Sequence, residues 1–229
     1  HFPIERSGNI GVPGPGMAVR LVPDEDKLEI RIKGPNVTPG YFKAPEHTAK
    51  AFDEDGWFKT GDAVRFADVA NPAAGLMFDG RTAENFKLSS GTWVNVGMLR
   101  PAVITAGAPV IEDAVIPGQD QDEIGVLVFP NLQGVKSLCP PLGADAPRAA
   151  LIADPAVRKA LAEGLARHNA NAQGSSMRIA RVQIMTEPPS IDGSEITDKG
   201  YLNQRAILKR RAELVERLHA GDTHPDVIV

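Results

Sequence analysis

The sequence predicts an α+β fold, in which a β-rich first part is followed by a smaller domain of mixed helices and strands. In the run 28–32, leucine and isoleucine alternate with charged residues, which is the period of a strand with one apolar face. Glycine and proline turns break the chain repeatedly as far as Phe78. After Arg81, apolar residues recur at helical spacing between short apolar runs. These observations predict two domains, residues 1–82 and residues 83–229.

The second domain is expected to hold two helices and three strands. Asp154 is a suitable N-cap and is followed by proline at the first helical position, after which apolar residues recur every four positions. On the exposed side of the last helix, Glu213 and Arg217 are expected to pair at i, i+4. Residues 137–148, rich in proline, glycine and alanine, are expected to form a loop. The predicted elements are helices over 155–169 and 202–218 and strands over 110–115, 124–129 and 178–185.

Composition excludes several classes of partner. The 229 residues carry a formal net charge of -4 without an extended basic patch, so nucleic acid is not expected as a partner. No run of about 18 apolar residues could cross a bilayer, and the N-terminus lacks the layout of a signal peptide. We therefore expect a cytoplasmic protein without a membrane partner. The single cysteine, Cys139, and five scattered histidines predict neither an internal disulfide nor a metal site.

Two segments of the first domain carry motifs of a known family. The strand 28–34 is followed by Pro39-Gly-Tyr-Phe-Lys-Ala-Pro-Glu-His-Thr48, and then comes Asp55-Gly-Trp-Phe-Lys-Thr-Gly-Asp62. In this order they resemble the adenylate-forming superfamily, which includes acyl-CoA synthetases, luciferases and the adenylation domains of peptide synthetases. The resemblance implies that Asp62 accepts hydrogen bonds from both ribose hydroxyls of ATP, a task that suits an ionised carboxylate because it has only acceptors. The residues alone also allow a turn aspartate after Gly61.

A third segment, Phe78-Asp-Gly-Arg-Thr-Ala-Glu-Asn-Phe-Lys-Leu-Ser-Ser-Gly-Thr-Trp-Val94, resembles the hinge of the same superfamily. The resemblance implies that Arg81 contacts the ribose or the phosphates of the nucleotide. A guanidinium suits an oxygen-rich nucleotide because it is always charged and offers a rigid fork of donors. With Arg81, we assign Lys87, Gly91 and Trp93 to cofactor binding.

The hinge segment departs from the common pattern and leaves alternatives open. The pivot residue is usually Asp or Lys, whereas Ala83 or Glu84 stands here, and the stretch that follows is one residue longer. Arg81 could instead form a domain-edge ion pair with Asp79 or Glu84. Gly91 could serve close approach of the backbone to the nucleotide or the pantetheine arm, or an ordinary hairpin turn.

The last motif, Glu195-Ile-Thr-Asp-Lys-Gly-Tyr201, lies just before the final predicted helix. Relatives carry a Gly-Lys loop here whose lysine enters the active site for adenylation, so the resemblance implies that Lys199 is catalytic. Attack of a carboxylate on the α-phosphate brings two anions together, and a compact ammonium on a flexible stem can bridge both. Outside this motif, a loop lysine would be interpreted as a solvated surface charge.

The resemblance implies that the first domain is the β-rich end of a large N-terminal adenylation domain, and that the second is its small mobile C-terminal lid. The implied enzyme is an acid:CoA ligase that uses ATP, Mg²⁺ and coenzyme A and acts on a small-molecule carboxylic acid. The run Glu84-Asn-Phe-Lys-Leu-Ser-Ser-Gly-Thr-Trp-Val94 is similar to feruloyl-CoA synthetases, which implies a hydroxycinnamate or related aromatic acid.

The chain opens at His1 without an initiator methionine, and the family's phosphate loop, acid pocket and magnesium ligands do not occur in it. We therefore expect a fragment that needs its missing N-terminal domain as a partner and has no ligase activity alone. Two alternatives remain. One is a non-catalytic interaction module of the same fold, and the other is an adenylating enzyme whose acceptor is a carrier-protein thiol or oxygen.

Overall fold

The computed structural model shows two compact units, of which the first ends at Asn85 and the second begins at Phe86. This division lies three residues after the predicted boundary between residues 82 and 83. The residues that the structure describes are 8–24, 27–142, 145–197, 199–221 and 224–228.

The first unit is built on an antiparallel sheet. Its elements in the described residues are β1 (Asn9–Gly11), β2 (Ala18–Asp24), β3 (Lys27–Lys33), α1 (Pro45–Ala51), β4 (Phe58–Phe66) and β5 (Leu76–Arg81). The strand order is β1-β5-β4-β3-β2, and every neighbouring pair is antiparallel. The alternating run 28–32 forms part of β3, as predicted, but the buried position in it is Glu29, whereas Ile30 is only half-buried.

The apolar core of the first unit is small. Among the described residues of this unit, the buried apolar side chains are Ala63, Val64 and Leu76. Several large apolar side chains are exposed instead, and Phe42 reaches 89% exposure. A sheet normally gains its stability by burying one face against a second layer. The exposed large apolar residues of this unit are Ile10, Val12, Tyr41, Phe42, Val69 and Phe78.

The second unit has a larger core around a mixed sheet. Its strands in the described residues are β6 (Phe86–Lys87), β7 (Trp93–Val94), β8 (Ile111–Val115), β9 (Ile124–Pro130), β10 (Ile179–Ile184) and β11 (Val227–Ile228). Its helices there are α2 (Val96–Ala106), α3 (Leu132–Leu138), α4 (Arg148–Ala153), α5 (Pro155–Asn171), α6 (Gln204–Arg210) and α7 (Ala212–His219). Four strands form a sheet of order β11-β10-β9-β8, in which β9 and β10 are parallel, while β6 and β7 form a separate hairpin. All seven residues of β9 are buried, as expected for a central strand covered on both faces.

Helix α5 forms for the reasons that the sequence gives. The side chain of Asp154 caps it by accepting a hydrogen bond of 2.8 Å from the backbone nitrogen of Ala156. The apolar stripe at four-residue intervals is buried, with Val157 and Leu161 at 0% exposure and Leu165 at 6%. The predicted helix is confirmed and ends at Asn171.

The last predicted helix is wrong in one respect, because two short helices replace it. Helices α6 and α7 meet at Arg211, whose backbone angles of φ -104 and ψ 33 interrupt the helical path. The side chain of Arg211 bonds the buried carboxylate of Glu195 instead of lying along a continuous helix. Arg217 pairs with Asp226 at 3.5 Å, not with Glu213 as predicted.

The region predicted as a loop over 137–148 also contains helical structure. It includes the end of α3, a 3₁₀ turn over Pro140–Leu142 and the start of α4. Within the part of the chain that the structure describes, we find no helix long and apolar enough to span a bilayer.

Close packing between α5 and the end of α2 gives a stability prediction. A Cβ built on Gly164 would lie well inside contact distance of the backbone carbonyl oxygen of Ala106. Gly164→Ala should therefore lower the free energy of unfolding by about 1–3 kcal/mol through overpacking, although alanine favours a helix over glycine by about 1 kcal/mol. Urea denaturation followed by circular dichroism measures the change. Gly221→Ala is the matched control, because a Cβ there meets nothing within 4 Å, and equal stability of the two variants would contradict the close packing.

Candidate functional site

Two of the predicted site residues face each other across neighbouring strands of the first unit. Asp62 on β4 and Arg81 on β5 are direct partners in the strand register. The Nε atom of Arg81 lies 3.0 Å from Oδ1 of Asp62, and both side chains are partly exposed, at 54% and 37%. Arg81 also donates a long hydrogen bond of 3.4 Å to the carbonyl of Thr60. The carboxylate that the structure pairs with Arg81 is thus Asp62, while Asp79 pairs with Lys27 at 3.3 Å.

A bulge in β4 presents Asp62. The ladder with β3 pairs Glu29 with Ala63 and then Arg31 with Lys59, so the segment 60–62 has no direct partner positions on β3. A bulge of this kind bends the strand and redirects the side chains beside it. Glycine at position 61 suits the bulge because its φ is +69, a conformation that costs other residues energy.

Side-chain hydrogen bonds replace the missing ladder bonds. The backbone nitrogen of Gly61 donates to Oε1 of Glu29 at 3.1 Å. The hydroxyl of Thr60 donates to the carbonyl of Ile30 at 2.6 Å and accepts from the backbone nitrogen of Asp62 at 3.1 Å. The residues of the Thr-Gly-Asp motif therefore fix the backbone from which the carboxylate projects.

Glu29 is a supporting residue that sequence reasoning missed. It is 7% exposed, and its Oε2 atom accepts a hydrogen bond of 2.8 Å from Arg31. Arg31 also binds Asp53 at 3.0 Å, and Asp53 in turn accepts from the backbone nitrogen of Trp57 at 2.8 Å. The Trp57 hydrogen bond and the Arg31 guanidinium hold the pKa of Asp53 below its usual value, while bonds to Glu29 and Asp53 raise the pKa of Arg31. The network links the beginning of the Gly-Trp-x-x-Thr-Gly-Asp segment to its end.

The Asp62–Arg81 pair has the chemistry of a site for a polar, oxygen-rich group. A carboxylate can accept several hydrogen bonds, so one contact with arginine leaves acceptor capacity for neighbouring hydroxyl donors. The guanidinium stabilises the ionised carboxylate and adds donors of its own. A vicinal diol matches the acceptors, and a phosphate or hydroxyl oxygen matches the donors.

A second group of predicted residues lies on one hairpin of the second unit. Lys87 and Trp93 are register partners in β6 and β7, and the Lys87 ammonium lies 4.5 Å from the centre of the Trp93 ring. Gly91 stands in the turn between them with φ +80, and its backbone nitrogen donates to the carbonyl of Leu88 at 2.8 Å. The turn alone is a sufficient reason for glycine at this position. Binding roles for these residues stay predictions.

The proposed pivot lies in a short 3₁₀ turn over Thr82–Glu84, between β5 and β6. The next residue, Asn85, returns to extended backbone with φ -76 and ψ 148. The side chain of Ala83 lies outside the described residues. The choice between Ala83 and Glu84 as pivot stays open.

Lys199 lies at the tip of a tight hairpin. The backbone nitrogen of Thr197 donates to the carbonyl of Tyr201 at 2.8 Å, and the nitrogen of Gly200 donates to the carbonyl of Thr197 at 2.9 Å. Gly200 has φ +82, which a tight turn requires here. Lys199 is exposed, and the neighbouring Asp198 lies outside the described residues.

The structure thus forms two local groupings among the predicted residues, Asp62 with Arg81 and Lys87 with Trp93, and places Lys199 on a hairpin of its own. Within the described residues, no group of three or more His, Cys, Asp and Glu side chains could hold a metal ion. The described side chains therefore do not fit a Mg²⁺ site.

Comparison with protein families gives a match over most of the second unit. Residues 85–223 match the family described as AMP-binding enzyme C-terminal domain. The match starts at residue 85, one residue before the second unit of the structure begins.

Named relatives extend the similarity into the first unit. The putative fatty-acid–CoA ligase fadD11 of Mycobacterium tuberculosis is 28% identical over 225 residues, which are 97% of this chain and 38% of that protein. The chloroplastic long-chain-fatty-acid–[acyl-carrier-protein] ligase AEE15 of Arabidopsis thaliana is 24% identical over 227 residues, covering 93% of this chain and 29% of that protein. The chain therefore spans well under half the length of these relatives.

Among solved structures, the adenylation domain of a carboxylic acid reductase from Segniliparus rugosus, in complex with AMP and a co-purified carboxylic acid, has the same fold. The TM-score is 0.69 at 22% identity, over 91% of this chain and 32% of that one. O-succinylbenzoate coenzyme A synthetase from Bacillus subtilis, in complex with AMP, gives a TM-score of 0.56 at 16% identity, over 88% of this chain and 35% of that one. These similarities confirm the predicted α+β fold as that of adenylation domains. Because the family match covers more than half of its residues, this chain belongs to the family of AMP-binding enzyme C-terminal domains.

Proposed function

We propose that this chain is the C-terminal portion of an ATP-dependent acid ligase, which converts a carboxylic acid first to an acyl-adenylate and then to a thioester. The observation that carries the proposal is the partly exposed Asp62–Arg81 pair, displayed by the glycine bulge in β4. Membership of the AMP-binding family and the ligase names of the relatives support it.

In the first step, Asp62 receives the two ribose hydroxyls of ATP on its carboxylate oxygens, and Arg81 supplies donors to the ribose or the phosphates. Bonds between neutral hydroxyls and an ionised acceptor are stronger than neutral ones, so this contact fixes the sugar firmly. The carboxylate of the acid attacks the α-phosphorus, a new acyl–phosphate bond forms, and pyrophosphate leaves. The Lys199 ammonium stabilises the negative charge that gathers as the two anions meet.

In the second step, a thiolate attacks the acyl carbon and AMP leaves. We propose that the second unit rotates between the steps about residues 82–84, with the Lys199 hairpin serving the first and the Lys87–Trp93 hairpin serving the second. Such motions need only a few backbone dihedrals at the edge of a domain. The short 3₁₀ turn at 82–84, next to the division between the two units, supports this position for the pivot.

The small core of the first unit supports the idea that it belongs to a larger domain. Within the described residues, the apolar side chains of Phe42 and Val69 are 89% and 83% exposed, and an adjoining domain would cover such side chains. In addition, the chain matches only 38% and 29% of the lengths of the two ligases named above. We therefore propose an upstream adenylation domain as its main partner and expect no ligase activity from the chain alone.

For the acid, we propose a hydroxycinnamate such as ferulate, or a related aromatic acid. The proposal rests on the amino-acid sequence of residues 84–94, which is similar to that of feruloyl-CoA synthetases. The named relatives favour fatty acids as the competing class, because both names include a fatty acid, and the name of the Arabidopsis ligase specifies a long-chain one.

For the acceptor, we propose coenzyme A, with a carrier-protein thiol as the second candidate. The carrier protein is favoured by the name of the Arabidopsis relative, an acyl-carrier-protein ligase. Both acceptors present a thiol at the end of a pantetheine arm, so the chemistry at the acyl carbon is the same for each.

Lys199→Ala tests the proposed reaction. In the complete protein, the exchange of pyrophosphate into ATP that depends on the acid should fall by about 100-fold or more, as when one donor to a developing charge is removed. Thioester formation from a supplied acyl-adenylate should stay near the wild-type rate, because Lys199 serves only the first step.

Lys209→Ala is the control for this experiment, since Lys209 is another exposed lysine of the same unit. Undiminished exchange in Lys199→Ala would contradict the proposed function. Loss of exchange in both variants would contradict a specific role for Lys199.

A substrate comparison tests the finer proposals. The complete protein should show a higher kcat/KM for ferulate than for palmitate, and a higher one with coenzyme A than with a phosphopantetheinyl carrier protein. Coupled release of AMP or pyrophosphate measures all four combinations. A preference for palmitate would refute the hydroxycinnamate proposal and leave the ligase reaction standing.

A further inference from the structure

The hairpin that carries Lys199 begins next to a buried ion pair between Glu195 and Arg211. Glu195 is 0% exposed, and its two carboxylate oxygens accept hydrogen bonds of 2.8 and 2.7 Å from the Nε and Nη2 atoms of Arg211. Oε2 of Glu195 also accepts from the backbone nitrogen of Ser190 at 2.7 Å. Two parallel bonds between a guanidinium and a carboxylate fix the direction of both groups as well as their distance.

Arg211 ties this pair to the rest of the second unit. Its Nη1 and Nη2 atoms donate to the carbonyls of Glu187 and Pro188 at 3.1 and 2.9 Å. Its guanidinium lies 5.1 Å from the ring centre of Phe129, in the fully buried strand β9. One side chain at the break between α6 and α7 therefore holds both the start of the loop after β10 and the carboxylate farther along it.

The stem of the Lys199 hairpin begins at this anchored glutamate. The carbonyl of Glu195 accepts from the backbone nitrogen of Asn203 at 2.9 Å, which closes the stem. Ile196 and Leu202 then form a bridge, and Lys199 follows at the tip of the short turn. Lys199 is only four positions from Glu195, so the geometry of the Glu195–Arg211 pair constrains where the backbone of Lys199 lies.

Stability alone does not explain a buried charged pair at this place. Replacing such pairs by well-packed apolar residues is often neutral or stabilising in proteins. What the pair offers that apolar packing does not is a fixed angle between helix, loop and hairpin. The hydrogen bonds from Arg211 hold the pKa of Glu195 below its usual value, so the carboxylate stays ionised near neutral pH.

We propose that Glu195 and Arg211 are positioning residues that hold the Lys199 hairpin in the orientation needed for adenylation. The inference rests on the proposed function, because it concerns the orientation of the Lys199 ammonium during adenylation. Under this proposal both residues act through the hairpin backbone that starts at the Glu195–Asn203 hydrogen bond and the Ile196–Leu202 bridge, not through contact with the reacting atoms.

The test measures both half-reactions in the complete protein. Glu195→Gln places an amide against the guanidinium, and Arg211→Lys keeps the charge but loses the fork. In each variant, kcat for adenylation should fall by about 10- to 100-fold, the cost of misplacing a catalytic group by about 1 Å. The KM for ATP should stay unchanged, and thioester formation from supplied acyl-adenylate should stay near the wild-type rate.

Two further variants make the outcome specific. Glu213→Gln is the matched control, because it makes the same change at an exposed position of α7 and should leave both half-reactions intact. Lys199→Ala, measured in the same experiment, distinguishes failure of the proposed function from failure of the positioning role. If Lys199→Ala keeps full adenylation activity, the proposed function fails. If Lys199→Ala loses it while Glu195→Gln and Arg211→Lys keep it, only the positioning role fails.

An equal loss of both half-reactions would also overturn the positioning role, because it would indicate general damage to the unit. Thermal unfolding of each variant identifies such damage directly. Should Glu195→Gln fail to fold, the result is taken from Arg211→Lys, which leaves no buried carboxylate without a cation. Retained adenylation in a folded Arg211→Lys variant overturns the proposal.

Discussion

The ion pair between Arg81 and Asp62 is the interaction on which the first unit's candidate site depends. It requires β4 and β5 to lie side by side in the observed register, and it requires a bulge that lets Asp62 project beside Arg81. The bulge in turn requires glycine at position 61 and the carboxylate of Glu29 to accept its amide hydrogen. This explains the residue types of the Thr-Gly-Asp motif structurally, because each of the three residues either forms the bulge or fixes its backbone.

The two units use the same physical device to hold a functional group. In the first, buried Glu29 is bound by Arg31 and supports the backbone next to Asp62. In the second, buried Glu195 is bound by Arg211 and supports the hairpin of Lys199. A buried carboxylate is costly unless it is paired and hydrogen-bonded, and both of these are. Under the proposed function, this arrangement leaves the reactive side chains exposed to substrate while the groups behind them are rigid.

Sequence reasoning predicted what local patterns encode and missed what distant contacts decide. The N-cap Asp154 and the stripe from Val157 to Leu165 specify α5 within the segment itself, so that helix was predicted correctly. Both residues of the Asp62–Arg81 pair could be predicted as site residues because each lies in a recognisable motif. The burial of Glu29 could not be predicted, since a charged residue in an alternating strand is expected to face solvent. The break at Arg211 could not be predicted either, because its cause is Glu195, sixteen positions earlier.

The central claim, that the Asp62 carboxylate receives both ribose hydroxyls, has a direct thermodynamic test. Calorimetry would measure the affinities of ATP, 2′-deoxy-ATP and 3′-deoxy-ATP for the complete wild-type protein and for Asp62→Ala. Removing either hydroxyl should weaken binding to the wild type by about 10-fold or more, the usual value of a hydrogen bond to a charged group. In Asp62→Ala the three nucleotides should bind almost equally, because the acceptor is gone. If removal of a hydroxyl weakened nucleotide binding equally in the wild type and in Asp62→Ala, the proposed contact between Asp62 and the ribose would be contradicted.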